Sequence, residues 1–167
     1  MEIDPATLSS QAQHRLVASF VIPRPIAWVS TVDAQGVRNL APFSFFSAVS
    51  NTPPILMFSV SRRAGQPKDT LVNVLATREF VVNIVSESVA QPMNVTSGNY
   101  PLDVDEFVVA GLTPVPSIKI KTPRVLESPI NIECTLIQTL SLPSTENTVI
   151  FGQVVWVHVA DEVLDER

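Results

Sequence analysis

Most of the chain consists of short apolar runs in which β-branched and aromatic residues dominate, and this pattern predicts strands. Three such runs are "IAWVSTV" (26–32), "ILMFSVS" (55–61) and "FVVNIV" (80–85). In "SPINIECTLIQTLSL" (128–142) apolar and polar residues alternate, as on a strand with one buried face. The last run, "NTVIFGQVVWVHVADE" (147–162), predicts another long strand.

The segment that follows the first run predicts a hairpin. "DAQG" (33–36) supplies turn residues, and "VRNLAPFSFFSAVS" (37–50) is predicted to be a single returning strand. The two runs therefore predict an antiparallel pair.

Helical periods are short and few. One helix is predicted to start at Asp4-Pro5 and to end before "VIPRP" (21–25). Another is predicted within "KDTLVNVLATREF" (68–80), with Asp69 or Thr70 as its N-cap.

Together these elements define a fold class. At least six strands, a few short helices and no regular alternation of strand and helix predict a mainly β protein, an antiparallel β-barrel with peripheral helices. No repeat, linker or low-complexity tract interrupts the pattern, so residues 1–167 are predicted to form a single domain.

Composition narrows the functional classes. The formal net charge of -5 is unfavourable for binding a phosphate backbone, which argues against a nucleic-acid partner. Cys134 is the only cysteine, so no internal disulfide and no cysteine-based metal site is expected. Neither a secretory signal nor an apolar run of ~20 residues is visible, so we expect a cytoplasmic protein without a membrane partner. The five glycines form no dinucleotide-binding or P-loop motif.

The segment "NLAPFSFFSAVSNTPPILMFSVSRR" (39–63) combines apolar residues with several serines and a proline. A proline within a strand is confined to edges or bulges, so Pro42 predicts backbone groups that lack a partner in the sheet. A planar heterocycle with donors and acceptors along one edge would satisfy such groups. The alternative is an ordinary edge strand whose serines bond neighbouring backbone or water.

Directly after it, "SRRAGQPKDT" (61–70) places basic residues before a predicted helix start. Free N–H groups and the positive end of the helix dipole, together with these cations, would suit a phosphate. The alternative is an exposed basic loop with a routine cap. A polar strand edge beside an anion site matches the ring, polyol and phosphate of flavin mononucleotide (FMN), which needs no glycine-rich loop here.

These segments resemble the flavin reductase-like, FMN-binding split-barrel family, which includes flavoredoxins and the reductase components of two-component monooxygenases. The resemblance rests on "PRPIAWVSTVDAQGVRNLAPFSFFSAVSNTPPILMFSV", then "KDTLVNVLATREFVVNIV", then "IFGQVVWVHV", in the family's order. It implies a six-stranded antiparallel split barrel, a homodimer and redox chemistry on FMN, with FAD as another candidate cofactor.

The resemblance also implies a set of cofactor-binding residues. Those expected along the isoalloxazine and ribityl groups are Asn39, Ala41, Pro42, Ser44 and Phe45, with Trp28 and Thr31 as weaker candidates beside the ring. Those expected at the ribityl and phosphate groups are Ser59, Arg62, Lys68, Asp69 and Thr70. No catalytic acid or base and no metal ligand is assigned.

The expected activity is oxidation of NADH or NADPH with transfer of the electrons to free flavin, a ferric chelate or a partner such as a monooxygenase component. An electron carrier or sensor without efficient turnover is an alternative, because "TENTVIFG" has Asn147 where reductases of the family often carry a histidine. A pure interaction module is a third.

Two further predictions concern charged or titratable residues. His158 is predicted to be a hydrogen-bonded histidine at a barrel rim or dimer contact. The acidic residues Asp103, Asp105 and Glu106 are predicted to form a solvated surface loop.

Overall fold

The computed structural model describes residues 1–63, 65–143 and 145–164. The helices are α1 (Ser10–Phe20), α2 (Asp69–Thr77), α3 (Ala90–Val95) and α4 (Glu106–Val109). The strands are β1 (Ala27–Val32), β2 (Arg38–Phe43), β3 (Phe46–Asn51), β4 (Pro54–Ser61), β5 (Glu79–Ile84), β6 (Pro114–Val115), β7 (Arg124–Val125), β8 (Ile130–Ser141) and β9 (Asn147–Val159). No helix in these ranges is both long and apolar enough to cross a bilayer.

The main sheet is antiparallel and has the strand order β2-β1-β5-β8-β9-β4-β3, while β6 and β7 form a small second sheet. The mainly β class is thus confirmed, with seven strands in this sheet rather than six. The segment predicted as one returning strand is two, because the chain bends at Ser44–Phe45 and then pairs with β4 instead of β1. The N–H of Ser59 donates to the carbonyl of Phe45 at 2.9 Å. This bond extends the pairing of β3 with β4 as far as the bend.

Aromatic rings fill the barrel interior. Phe58 lies between Phe43 and Phe80, with ring centroids 5.1 and 5.3 Å away. Gly152 on β9 faces the ring of Phe80, and a Cβ there would overlap that ring. The barrel is therefore packed closely enough that a side chain at Gly152 would have to displace the Phe80 ring.

A second apolar cluster covers the outer face of β1 and β2. Trp28 and Leu40 pack there against Phe107 of α4 and Val125 of β7. The indole N–H of Trp28 donates to Thr96 Oγ1 at 2.9 Å. This cluster fixes the long connection between β5 and β8 against the edge of the sheet.

The helix starts differ from those predicted. Asp4 caps a 3-10 turn, and α1 begins only after the N-cap Ser9. The N-cap of α2 is Lys68 rather than Asp69 or Thr70, and no side chain accepts a bond from its first turn. The predictions failed because several polar residues in a row each satisfy the composition of a cap.

Candidate functional site

The exposed edge of β2 is the first component of the site. β2 ends the sheet order and pairs with β1 along its whole length, so Pro42 does not interrupt that ladder, contrary to the prediction of a break. The N–H of Leu40 points away from β1 and donates to Glu106 Oε2 at 3.1 Å. Because directions alternate along a strand, the missing N–H of Pro42 faces the same outer edge. The proline thus marks an edge rather than a gap.

A cavity of about 200 Å³ lies between this edge, the start of α2 and the segment that follows α3. Six predicted site residues line it: Asn39, Ala41, Pro42, Lys68, Asp69 and Thr70. The sequence placed these residues on two separate elements. The fold brings them to one site because α2 packs across β1 and β2.

A buried amide and hydroxyl network fixes two of these side chains. Asn39 Nδ2 donates to Thr70 Oγ1 at 3.0 Å and to Thr31 Oγ1 at 3.1 Å. Asn73 Nδ2 also donates to Thr31 Oγ1, at 3.1 Å. Thr31 does not line the cavity, so its role is to orient Asn39 rather than to touch a ligand.

Lys68 provides a positive charge at the start of α2. Its ammonium lies 5.7 Å from the centroid of the Phe43 ring, and within the described ranges no carboxylate forms an ion pair with it. Burial, and then the nearby charge of Arg63, lower the pKa of Lys68 below its ordinary value. A half-buried cation beside an uncapped helix N-terminus has the chemistry of an anion site.

The two neighbouring arginines point to different places. Arg63 lines the cavity. Arg62 donates from Nη1 to the carbonyl of Gly65 at 3.0 Å and lines a separate groove beside α2, β8 and β9. The predicted residue Arg62 therefore lies outside the cavity, and its neighbour occupies the position expected for it.

Four other predicted residues also lie outside this cavity. Ser44 and Phe45 form the bend between β2 and β3, with Phe45 37% exposed, and Ser59 joins that bend through its backbone. Trp28 is fully buried in the outer cluster and reaches the cavity only through its bond to Thr96. Its place beside a ring stays a prediction, and in this structure it supports the cavity through Thr96.

The sequence-based prediction missed Glu106, which is buried rather than solvated. Only 7% of the residue is exposed, and it lines the cavity. Asp105 accepts from the N–H of Phe107 at 3.0 Å and from Arg38 Nε at 2.6 Å, which holds the start of α4 against β2. Burial raises the pKa of Glu106 to about 6, and the charges of Asp69 and Asp105 add to the rise. Two hydrogen bonds from backbone N–H groups oppose it.

Other missed lining residues follow α3: Thr96, Ser97, Gly98 and Tyr100. They lie in a polar loop without periodicity, so only the fold reveals that they face β2. The prediction for His158 is confirmed in its chemistry, since its Nε2 lies 2.6 Å from Glu133 Oε1. That pair is not part of the cavity.

The site thus combines an open strand edge, fixed amide and hydroxyl groups, and a cation-rich helix start. Such a site can hold an anionic group at one end and a hydrogen-bonding planar group along the edge. Comparison with known proteins identifies the class: the chain belongs to the family of flavin reductase-like domain proteins, whose pattern matches residues 19–167. The resemblance read from the sequence is confirmed.

Individual relatives agree with this assignment. An uncharacterized protein of Aquifex aeolicus is 47% identical over 92% of this chain and 78% of its own length. Nitrilotriacetate monooxygenase component B from Bacillus cereus superposes with a TM-score of 0.96 and 36% identity, over 99% of this chain and 84% of that one. The 2-nitrobenzoate 2-nitroreductase NbaA of Pseudomonas fluorescens gives 0.90 and 30%, over 99% and 79%.

Proposed function

We propose that this chain is an FMN-binding oxidoreductase that reduces flavin with NADH or NADPH. The observation that carries the proposal is the junction of the open β2 edge with the uncapped start of α2 in one cavity. Membership of the flavin reductase-like family supports the flavin as the occupant. FAD would share the same phosphate and ring contacts, and FMN is proposed because the segments of this chain resemble FMN-binding split-barrel proteins.

The residues present fit the phosphate of such a cofactor. Lys68 and Arg63 supply two positive charges without a carboxylate partner in the described ranges, and Thr70 supplies a hydroxyl. The N–H groups of Asp69 and Thr70, the first two of α2, add donors because the N-cap side chain does not bond them, whereas the N–H of Leu71 already donates to the Lys68 carbonyl. This donor set would bind a phosphate dianion through charge-assisted hydrogen bonds.

The ring would lie along β2. The backbone carbonyls of β2 and the side chain of Asn39 offer polar partners at this edge. Pro42 and Phe45 offer apolar surface. When bound, a flavin supplies the hydride-accepting chemistry, and the protein supplies binding, orientation and exclusion of water. Thr31 and Asn73 would keep Asn39 in its binding rotamer.

Adjacent arginines provide a matched test of the phosphate assignment. Lys68→Ala and Arg63→Ala should each weaken FMN binding by about tenfold or more, because each removes a charge from the cavity. Arg62→Ala removes the same charge one residue away and should change it by less than about twofold. Fluorescence titration of apoprotein with FMN and with riboflavin would measure both effects. Equal losses for the two ligands would contradict the phosphate assignment.

Turnover separates the reductase from the electron carrier. Purified protein should release FMN on denaturation, identified by its mass. Anaerobic addition of NADH or NADPH should then bleach the flavin absorption within the time of mixing. Persistent absorption would favour a carrier or sensor, for which Asn147 at the start of β9 is the relevant residue. A colourless protein that binds no flavin would leave only the interaction module.

A homodimer is proposed as the working unit. α1 has no buried residue, and Phe20, Val21 and Ile22 at its end are 71%, 56% and 67% exposed. Contiguous apolar surface of this kind is typical of interaction sites. Light scattering should give a mass near twice 18.2 kDa, and Phe20→Glu should shift it toward the monomer.

Free flavin, a ferric chelate or a monooxygenase component is proposed as the electron acceptor.

A further inference from the structure

Glu106 adds a second carboxyl group, beside that of Asp69, to a cavity whose cations and helix start suit an anion. It lines the same 200 Å³ space as Lys68, Arg63 and Thr70. Its Oε2 accepts a hydrogen bond at 3.1 Å from the Leu40 N–H at the open edge of β2. A carboxylate in this position repels a phosphate, whereas a carboxylic acid would donate a hydrogen bond to it.

We propose that Glu106 links the binding of a phosphate-bearing flavin to proton uptake, so that the neutral acid accompanies the bound phosphate and the carboxylate opposes it. This inference rests on the proposed function and adds a role for one residue in it. The proton passes from solvent to a Glu106 carboxylate oxygen, and no other bond is made or broken.

The charges that face Glu106 are of both signs. Asp69 at the start of α2 and Asp105, the N-cap of α4, both favour its neutral form. Arg38 of β2 does not offset them, because its guanidinium is held by Asp105 at 2.6 Å. Lys68 lines the same cavity as Glu106.

The remaining groups there are Arg63 and Tyr100, and Tyr100 donates to the carbonyl of Val95 at 3.0 Å. Within the described ranges, neither Lys68 nor Arg63 forms an ion pair with Glu106. A phosphate would therefore meet an uncompensated carboxyl group.

The sign of the pH effect follows from this arrangement. Without ligand, the pKa of Glu106 is already raised to about 6. A bound phosphate adds negative charge and raises it further, so binding takes up protons above pH 6 and is opposed most strongly at higher pH. The second ionisation of the phosphate itself, with a pKa of about 6, has the opposite sign because the dianion binds cations better. Only a comparison with a neutral variant isolates the contribution of Glu106.

Glu106→Gln is that variant, because its amide oxygen can still accept from Leu40. FMN affinity should be about tenfold higher in Glu106→Gln than in the natural protein at pH 8, and within about twofold at pH 5. For riboflavin, the ratio of the affinity of Glu106→Gln to that of the natural protein should stay near one at both pH values. Glu87→Gln, an exposed glutamate in a 3-10 turn away from the cavity, should match the natural protein throughout.

Calorimetry of the natural protein, compared with Glu106→Gln so that proton exchange by the phosphate cancels, provides a second test. FMN binding near pH 7, measured in buffers with different heats of ionisation, should take up a fraction of a proton that riboflavin binding does not. FMN binding without proton uptake, or a ratio between the two proteins that is flat with pH, would overturn the role of Glu106 while the flavin assignment stands. Failure of the natural protein to bind either flavin would overturn both.

Discussion

The barrel interior and the cavity at the β2 edge use opposite chemistry within a few residues of each other. The interior contains Phe43, Phe58 and Phe80, and the ring of Phe58 packs against each of the other two. These rings are held in place by packing against one another. The cavity instead leaves Lys68 half-buried beside Phe43 without an ion-pair partner in the described ranges.

This difference separates residues that stabilise the fold from residues kept for a ligand. A half-buried charge without a partner costs free energy of folding, whereas a packed ring contributes to it. Phe43 belongs to both regions, since one face meets Phe58 and the ammonium of Lys68 lies near its ring. Substitutions on the two sides of Phe43 should therefore affect different measured quantities.

The largest effect is expected from Phe58→Ala. Phe58 is 1% exposed and has ring neighbours on both sides, so truncation should lower the free energy of unfolding by about 3–5 kcal/mol. Urea denaturation of the apoprotein at neutral pH would measure it. The ratio of FMN to riboflavin affinity should hardly change, because the phosphate contacts lie elsewhere. A loss under about 1 kcal/mol would mean that the stack is not the centre of the barrel.

A smaller effect is expected from Gly152→Ala. The added methyl would overlap the Phe80 ring, which also packs against Phe58, so we expect a loss of about 1–3 kcal/mol. Phe80→Leu should cost less in the Gly152→Ala background than alone, because it removes the overlap. Additive losses in this double-mutant cycle would show that the two positions are independent.

The sequence predicts most of the strands because their apolar alternation survives in the fold. It does not predict the bend at Ser44–Phe45, since the apolar pattern continues through it and only pairing with β4 separates β2 from β3. Pro42 correctly indicated an edge. Local composition could locate the edge but not the partner of the strand that follows it.

At the site, the sequence predicted the residues that sit on periodic elements and missed those on loops. Asn39 and Thr70 were predicted and meet through a hydrogen bond. Glu106 was predicted to be solvated, because three acidic residues within four positions carry no signal that one of them is buried. Arg62 and Arg63 are adjacent in the sequence, and only the fold shows that Arg63 lines the cavity while Arg62 donates to the carbonyl of Gly65.

The smallest effect on stability, and the most discriminating, is expected from Lys68→Met. Burial lowers the pKa of this lysine, so its charged form is disfavoured in the folded protein, and the charge contributes no stability at neutral pH. A methionine keeps the contact with the Phe43 ring, so the free energy of unfolding of the apoprotein should change by less than about 0.5 kcal/mol or rise slightly. Saturating FMN should raise the melting temperature of the natural protein clearly more than that of the variant. Equal FMN shifts in the two proteins, or a large loss of apoprotein stability, would place Lys68 with the packed interior instead of the ligand site.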